Sequence, residues 1–157
     1  MTAGHETLAY VALGANLGDR EGAFERALAG LAAAPGVRVL RRSRWHETEP
    51  VGGPAGQPRF LNGVVEVATT LELRPFFELL QQLELRAGRD RAREDRNGPR
   101  PLDLDLLLFG DQALASADLI VPHPRMGERE FVLAPLADLE PALARRHASL
   151  RAGHPAR

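Results

Sequence analysis

Two aspartates in an otherwise apolar segment are the clearest chemical signal in this sequence. Leu102–Phe109 reads LDLDLLLF and is predicted to be a β-strand. Side chains alternate across a strand, so Asp103 and Asp105 should share one face, about 7 Å apart. The opposite face is predicted to carry Leu102, Leu104, Leu106 and Leu108. One or two carboxylates completed by substrate phosphates are a common Mg²⁺ site. A hydrated strand face, with both aspartates exposed or paired with arginines, is the alternative.

An arginine-rich segment immediately precedes this strand. Residues 86–100 contain six arginines and three acidic residues. Guanidinium groups beside carboxylate metal ligands can hold a polyphosphate and stabilise the charge on a transferring phosphoryl group. A solvated loop has the same composition, and a metal-dependent nuclease would use the same groups. The substrate therefore stays open at this point.

Other segments contain residues suited to a flat heterocycle. Phe60 and Phe131 can stack on a ring, although a single Phe in a strand is more often part of the core. Asn62 lies within a predicted strand, where its amide either satisfies neighbouring backbone or reads the edge of a ligand. His123, between two prolines, is either a surface histidine or a phosphate contact.

Composition excludes several classes of site. The chain has no cysteine, which rules out disulfides, thiolate nucleophiles and zinc–sulfur centres. It also has no lysine, because all 20 basic residues are arginine. A P-loop lysine and Schiff-base chemistry are therefore impossible. Any anion must be bound by guanidinium, imidazole or backbone N–H groups.

Length and charge predict one globular domain. The chain has 157 residues, 44% of them hydrophobic, and a formal net charge of −1. We expect a single catalytic domain over residues 1–144 and a disordered basic tail over 145–157. Neither an apolar run of membrane-spanning length nor a signal peptide is recognised. We therefore expect a cytoplasmic monomer that binds neither nucleic acid nor membranes.

Alternating strands and helices indicate an α/β (α+β) fold. The predicted strands are Leu8–Gly14, Val37–His46, Phe60–Thr70 and Leu102–Phe109. The predicted helices are Arg20–Ala33 with Asp19 as N-cap, Pro75 to near Gly88, and Ala134–Leu143, after a short apolar stretch at Phe131–Leu133. Together they favour a ferredoxin-like sandwich, a mainly antiparallel sheet with helices on its faces. Glu47–Pro58 and Arg89–Arg100 are predicted to be mobile active-site loops.

The segment Arg96–Leu107, RNGPRPLDLDLL, resembles the signature of the 6-hydroxymethyl-7,8-dihydropterin pyrophosphokinases. The resemblance extends over nearly the whole chain. Collinear motifs carry it: YVALGANL from Tyr10, FLN from Phe60, ELRAGR from Glu84, VPH from Val121 and REFVL from Arg129. Three departures are Phe60 in place of a frequent tyrosine, Gly-Ala-Asn in place of Gly-Ser-Asn at the first turn, and Asn97 in place of an aromatic.

The resemblance implies an enzyme that transfers pyrophosphate from ATP to the hydroxymethyl group of the pterin, releasing AMP, in tetrahydrofolate biosynthesis. By position, Asp103 and Asp105 would bind two Mg²⁺ ions. The ATP-binding residues it implies are Glu84, Arg89, Arg100, His123 and Arg129, of which Arg89 and Arg100 are also catalytic. The pterin-binding residues it implies are Thr48, Val51, Phe60, Asn62 and Phe131.

Two other functions would use the same sequence features. A non-catalytic nucleotide- or pterin-binding regulator would keep the scaffold without consuming ATP. A metal-dependent nuclease would cleave DNA or RNA without any need for a pterin. The basic segment lacks interleaved aromatic residues, which makes nucleic acid the less favoured ligand.

Overall fold

The computed structural model describes residues 5–50, 53, 55–88 and 101–152, with the side chains of 149–152 outside this description. The strands are β1 (Thr7–Ala15), β2 (Val37–Arg42), β3 (His46–Thr48), β4 (Phe60–Thr69), β5 (Asp103–Phe109), β6 (Leu114–Ala115) and β7 (Ile120–Val121). The α-helices are α1 (Arg20–Ala33), α2 (Leu73–Arg86), α3 (Glu130–Leu139) and α4 (Pro141–Ala152), with a 3₁₀ turn at Met126–Glu128.

The main sheet is antiparallel throughout. Its order is β2-β4-β1-β5, and the short β3 pairs with the other end of β4, beyond β2. The predicted strand from Val37 to His46 is therefore two strands. The break lies at Ser43, whose hydroxyl accepts a hydrogen bond from the Val64 backbone N–H. Because β3 includes Glu47 and Thr48, the following loop is shorter than predicted.

Helices cover both faces of the sheet, as in the predicted sandwich. Along β1, Val11 and Leu13 point into a core closed by α1 and α2. Tyr10 and Ala12 point to the opposite face, into a second core closed by α3 and α4. Strands buried on both sides in this way require apolar residues at nearly every position, which explains the continuous apolar run of β1. No helix in the described part of the chain is long and apolar enough to cross a membrane.

A β-bulge alters the predicted alternation in β5. Val11 is opposite Leu106, but its neighbour Tyr10 is opposite Leu108, which leaves Leu107 as an extra residue. Leu102, Leu104 and Leu106 accordingly pack in the first core. Leu108 packs in the second core, so its predicted place on the same face as the other three was wrong. The bulge lies after Asp105 and leaves the alternation of the two aspartates intact.

The first two helices follow their sequence signals closely. The Asp19 carboxylate accepts a hydrogen bond from the Gly22 backbone N–H at 3.0 Å, as an N-cap does. Gly36, in the turn between α1 and β2, has a φ of +79°, a conformation that only glycine adopts readily. Helix α2 begins at Leu73, two residues before the predicted Pro75. A proline is tolerated there because the first-turn N–H groups have no partner within the helix.

The C-terminal prediction was wrong in its boundaries. Phe131–Leu133 belongs to α3, which continues through Pro135 to Leu139, and a separate helix α4 begins at Pro141. The predicted disordered tail begins at residue 145, but α4 extends to Ala152. Residues 153–157 lie outside the described residues. Ala144 and His147 are buried. Packing of α4 against α3 stabilises a segment whose sequence shows little amphipathic periodicity.

Candidate active site

Four residues form a row across the sheet. His46 is directly opposite Asn62, Asn62 is opposite Gly14, and Gly14 is opposite Asp103. Directly opposed residues in antiparallel strands point to the same face, so the amide and the carboxylate flank the glycine. A Cβ on Gly14 would lie 3.7 Å from Asn62 Oδ1 and 3.9 Å from Asp103 Cβ. A side chain at position 14 would therefore touch both neighbours, and the glycine keeps the surface between the amide and Asp103 free of one.

The two aspartates share one face of β5, as the alternation predicts. Both are partly exposed, whereas Leu104 between them is buried on the other side. In the part of the chain that the structure describes, no cluster of three or more His, Asp or Glu side chains is arranged to hold a metal ion. A divalent cation bound by these two carboxylates would take further oxygen ligands from substrate or water, an arrangement typical of Mg²⁺.

Arg129 connects the carboxylates to an aromatic ring. It immediately precedes α3, and its Nη1 lies 4.0 Å from Asp105 Oδ2. The same guanidinium lies over the Phe131 ring, with its carbon 5.6 Å from the ring centroid. This cation–π contact holds the guanidinium beside the aspartates. A phosphate group near Asp105 would meet a positive charge that is already in place.

His123 is held as a neutral imidazole beside the aspartates. Its backbone N–H donates to the Leu107 carbonyl at 2.9 Å. Burial, reinforced by the charge of Arg129 and opposed by Asp103, lowers the pKa of His123 to about 4. Its Nδ1 accepts a hydrogen bond from the Arg125 backbone N–H at 3.2 Å. The neutral ring then carries its proton on Nε2, which makes Nε2 a hydrogen-bond donor near neutral pH.

Three of the predicted pterin-binding residues, Thr48, Phe60 and Asn62, lie on β3 and β4. Asn62, which is 5% exposed, donates from Nδ2 to Thr48 Oγ1 at 2.6 Å. Thr48 is directly opposite Phe60, so these side chains lie on the face that carries the aspartates. Because Nδ2 is engaged by Thr48, Oδ1 of Asn62 is the atom directed over Gly14. Phe131 belongs to the helix that covers this same face.

Hydrogen bonds from Asn16, the residue after β1, hold the loop between β3 and β4 in place. Asn16, 1% exposed, donates from Nδ2 to Gln57 Oε1 at 3.2 Å and to the Pro58 carbonyl at 3.1 Å. The side chain of this asparagine in the first turn therefore anchors the loop that leads into Phe60.

Arg20 gives a second anchor to the same loop. Its Nη1 donates to Glu47 Oε1 at 3.1 Å and to the Arg59 carbonyl at 2.9 Å. These two acceptors immediately precede Thr48 and Phe60 in sequence. One guanidinium at the start of α1 therefore joins both ends of the loop. Sequence reasoning missed this role, since an arginine in a first helical turn carries no local signal for it.

Glu84 supports the strand that carries the aspartates. It is 3% exposed, and its Oε2 accepts a hydrogen bond from the Leu104 backbone N–H at 2.7 Å. Strand β5 is the last in the sheet order, so none of the strands that the structure describes lies on this side to accept that N–H. The carboxylate thus stabilises β5 between Asp103 and Asp105. Its predicted contact with the nucleotide stays a prediction.

Three predicted site residues, Val51, Arg89 and Arg100, lie outside the described residues, as does Asn97. The predicted mobility of the arginine-rich loop falls on the same segment. The structure brings together Asp103, Asp105, His123 and Arg129 at one end of a sheet face. It brings together Thr48, Phe60 and Asn62 on the same face across Gly14, with Phe131 on the helix above.

Comparison with known proteins identifies the family. The sequence model described as 7,8-dihydro-6-hydroxymethylpterin-pyrophosphokinase (HPPK) matches residues 10–141, most of the chain. This chain belongs to the HPPK family. The 2-amino-4-hydroxy-6-hydroxymethyldihydropteridine pyrophosphokinase of Bacillus subtilis is 49% identical over 132 residues, covering 84% of this chain and 77% of that protein. The protein of the same name from Pseudomonas aeruginosa is 46% identical over 134 residues, covering 85% and 81%.

Solved structures agree with the fold. The chain is similar to the crystal structure of an HPPK-DHPS in complex with substrates, with a TM-score of 0.62 at 13% identity. The match covers 87% of this chain and 40% of that longer one. The predicted ferredoxin-like α/β sandwich is confirmed. The HPPK family matches also confirm that the chain is an enzyme with pyrophosphokinase function.

Proposed function

We propose that this HPPK transfers the pyrophosphoryl group of ATP to 6-hydroxymethyl-7,8-dihydropterin in a Mg²⁺-dependent step of tetrahydrofolate biosynthesis. The observation that carries the proposal is the sheet face on which Asn62 and Asp103 flank Gly14. A flat ring bound at the amide would have its substituent directed toward the carboxylates. The products would be AMP and the pterin diphosphate.

The residues present fit two Mg²⁺ ions bound with the ATP phosphates. Asp103 and Asp105 offer hard oxygen ligands on one partly exposed face, the donor type that Mg²⁺ prefers. We assign both carboxylates as its protein ligands. When bound, Mg²⁺ would neutralise phosphate charge. Arg129 would add a guanidinium donor at the phosphates, and the neutral His123 would donate from Nε2. Arg89 and Arg100 complete the proposed set of phosphate contacts.

The chemical step needs positioning more than acid–base chemistry. The hydroxymethyl oxygen attacks the β-phosphorus, the bond from that phosphorus to the α,β-bridging oxygen breaks, and AMP leaves with that oxygen. The hydroxyl proton passes to solvent or to a phosphate oxygen. Cationic groups held beside the phosphates stabilise the charge on the transferring group, and alignment of the two substrates supplies much of the rate enhancement.

The pterin would be held by stacking and by hydrogen bonds at its edge. We propose that Phe60 and Phe131 stack on the ring. Asn62 Oδ1 would accept from an N–H group of the pterin, because its Nδ2 already donates to Thr48. Backbone groups around Thr48 and Val51 would complete the edge contacts. A phenylalanine at position 60 retains stacking but offers no hydroxyl.

Turnover assays test this proposal directly. We expect AMP to form only when ATP, Mg²⁺ and the reduced hydroxymethylpterin are all present. Asp105→Ala should abolish AMP formation while the protein stays folded, whereas Asp111→Ala, an exposed aspartate in the turn after β5, should behave as the wild type. Near-normal turnover by Asp105→Ala would refute the metal assignment.

The same experiments separate the alternatives. ATP binding without AMP release would indicate a regulator, and cleavage of DNA or RNA with Mg²⁺ would indicate a nuclease. The cytoplasmic location and the monomeric state belong to the proposal as well. Light scattering on the purified protein tests the monomeric state, and a stable dimer would contradict it.

A further inference from the structure

A partly exposed side-chain contact joins β3, the shortest strand of the main sheet, to helix α3. His46 Nε2 lies 2.8 Å from Asp138 Oδ2, and both side chains are less than one quarter exposed. Arg44 adds two bonds to the same carboxylate, from its backbone N–H at 3.2 Å and from Nη2 at 3.1 Å. Together they hold β3 against α3 through one carboxylate.

The contact lies beside the residues proposed to bind the pterin. His46 is directly opposite Asn62 and two residues before Thr48, so the three side chains share one face. Asp138 follows Phe131 by seven residues, two helical turns, which places both on the same side of α3. The contact therefore links the two elements that carry Thr48 and Phe131.

Strand β3 is short: it comprises three residues, and its ladder with β4 has three residue pairs. Arg20 donates to Glu47 and Asn62 donates to Thr48, but neither of these donors belongs to α3. So short an edge strand is only weakly stabilised by its own hydrogen bonds. Arg41 also contacts the end of α3, at the Leu139 carbonyl, but it belongs to β2. Within the described residues, the side-chain hydrogen bonds that connect β3 and the nearby Arg44 to α3 all involve Asp138.

We infer that His46 and Asp138 are positioning residues for the pterin, which set the spacing between β3 and α3. This spacing determines how well Asn62 and Thr48 face a ring stacked on Phe131. The inference rests on the proposed pterin site and adds two residues to it that do not touch the substrate. Loss of the contact should weaken pterin binding and leave the nucleotide side largely unaffected, because the aspartates lie three strands away from His46.

The test compares Asp138→Ala and His46→Ala with Asp118→Ala as a matched control. Asp118 makes a comparable pair, with Arg74 at 2.7 Å, on an exposed surface outside the site. For the first two variants we expect the pterin KM to rise about five- to tenfold, the scale of a typical net hydrogen-bond contribution. The ATP KM and the kcat at saturation should stay within about twofold, and the control should match the wild type.

Two further measurements separate positioning from folding. The double variant His46→Ala/Asp138→Ala should bind pterin no more weakly than Asp138→Ala alone, since replacement of Asp138 already removes the contact with His46. Asp138→Asn keeps the side-chain shape and an oxygen acceptor, and should fall between the wild type and the alanine variant. It also keeps the test valid if the alanine variant does not fold.

Different results would contradict the positioning role, the coupling between the two residues and the proposed function. An equal rise of the pterin and ATP KM values, or a loss of thermal stability with unchanged KM values, would overturn the positioning role. Independent, additive effects of the two alanine substitutions would overturn the coupling. If the wild type forms no AMP, the proposed function fails; if it turns over normally and the variants leave the pterin KM unchanged, only this inference fails.

Discussion

Replacement of Glu84 tests how β5 is held in place. The Oε2 atom of this buried carboxylate accepts the Leu104 N–H at 2.7 Å. In Glu84→Ala, that N–H loses its side-chain acceptor in an interior position. An unsatisfied buried donor costs about 1–3 kcal/mol, and the volume lost with the side chain adds to it. We expect the free energy of unfolding to fall by about 2–3 kcal/mol.

The same variant should also affect catalysis. Leu104 lies between Asp103 and Asp105, so a shift of its backbone moves both carboxylates. We therefore expect a lower kcat together with the lower stability. Thermal denaturation followed by circular dichroism should show a melting temperature about 5–10 °C below that of the wild type, the shift that such a free-energy loss produces in a domain of this size.

Glu78→Ala is the matched control, since it removes an exposed glutamate from the same helix and should leave both quantities unchanged. If Glu84 contacts only the nucleotide, its replacement would raise the ATP KM with no change in melting temperature. That result would refute the structural role given to it here.

Further predictions concern the loop anchor, a buried histidine and a buried tyrosine. Arg20→Gln should raise the pterin KM a few-fold while lowering the free energy of unfolding by less than about 1 kcal/mol, because its ion pair with Glu47 is partly exposed; a normal KM would contradict the anchoring role. His147, whose pKa is lowered by burial and by Arg146, should make the fold less stable as pH falls below about 6.5, because the unfolded chain then binds the proton more readily. Urea titrations from pH 7.5 to 5 should show that His147→Leu loses less of its free energy of unfolding over this range than the wild type does. Equal losses in the two proteins would contradict this prediction. Tyr10→Phe should cost about 1 kcal/mol of stability, since its hydroxyl donates to buried Glu66, and should leave turnover unchanged.

Local sequence patterns predicted the features that depend on neighbouring residues. The alternation of LDLDL was enough to place Asp103 and Asp105 on one face, and Asp19 followed by a helical stripe was enough to locate the start of α1. Both features arise from geometry within a single element. The structure reproduces them with the expected boundaries to within one residue.

Features that depend on strand pairing were not predictable in this way. The bulge that moves Leu108 to the second core arises from the register between β1 and β5. The placement of Gly14 between Asn62 and Asp103 requires knowledge of which strands are neighbours. The hydrogen bond between His46 and Asp138 spans 92 residues of sequence. No periodicity in a single chain reports contacts of this kind.

The C-terminal boundaries failed for a related reason. The sequence predicts one helix over Ala134–Leu143, whereas α3 spans Glu130–Leu139 with its apolar side buried against the sheet. Helix α4 has mixed polarity, so its stability comes from α3 and the adjoining 3₁₀ turn. Tertiary packing outweighed local propensity at both positions.

A crystal structure with a non-hydrolysable ATP analogue, Mn²⁺ in place of Mg²⁺ and the reduced pterin tests the central claim most directly. Anomalous scattering would locate the metal ions without reference to the ligand density. The account predicts two metal ions bound by the carboxylates of Asp103 and Asp105, with the pterin edge at Asn62 across Gly14. Metal ions and triphosphate bound elsewhere, with these two carboxylates free of metal, would contradict it.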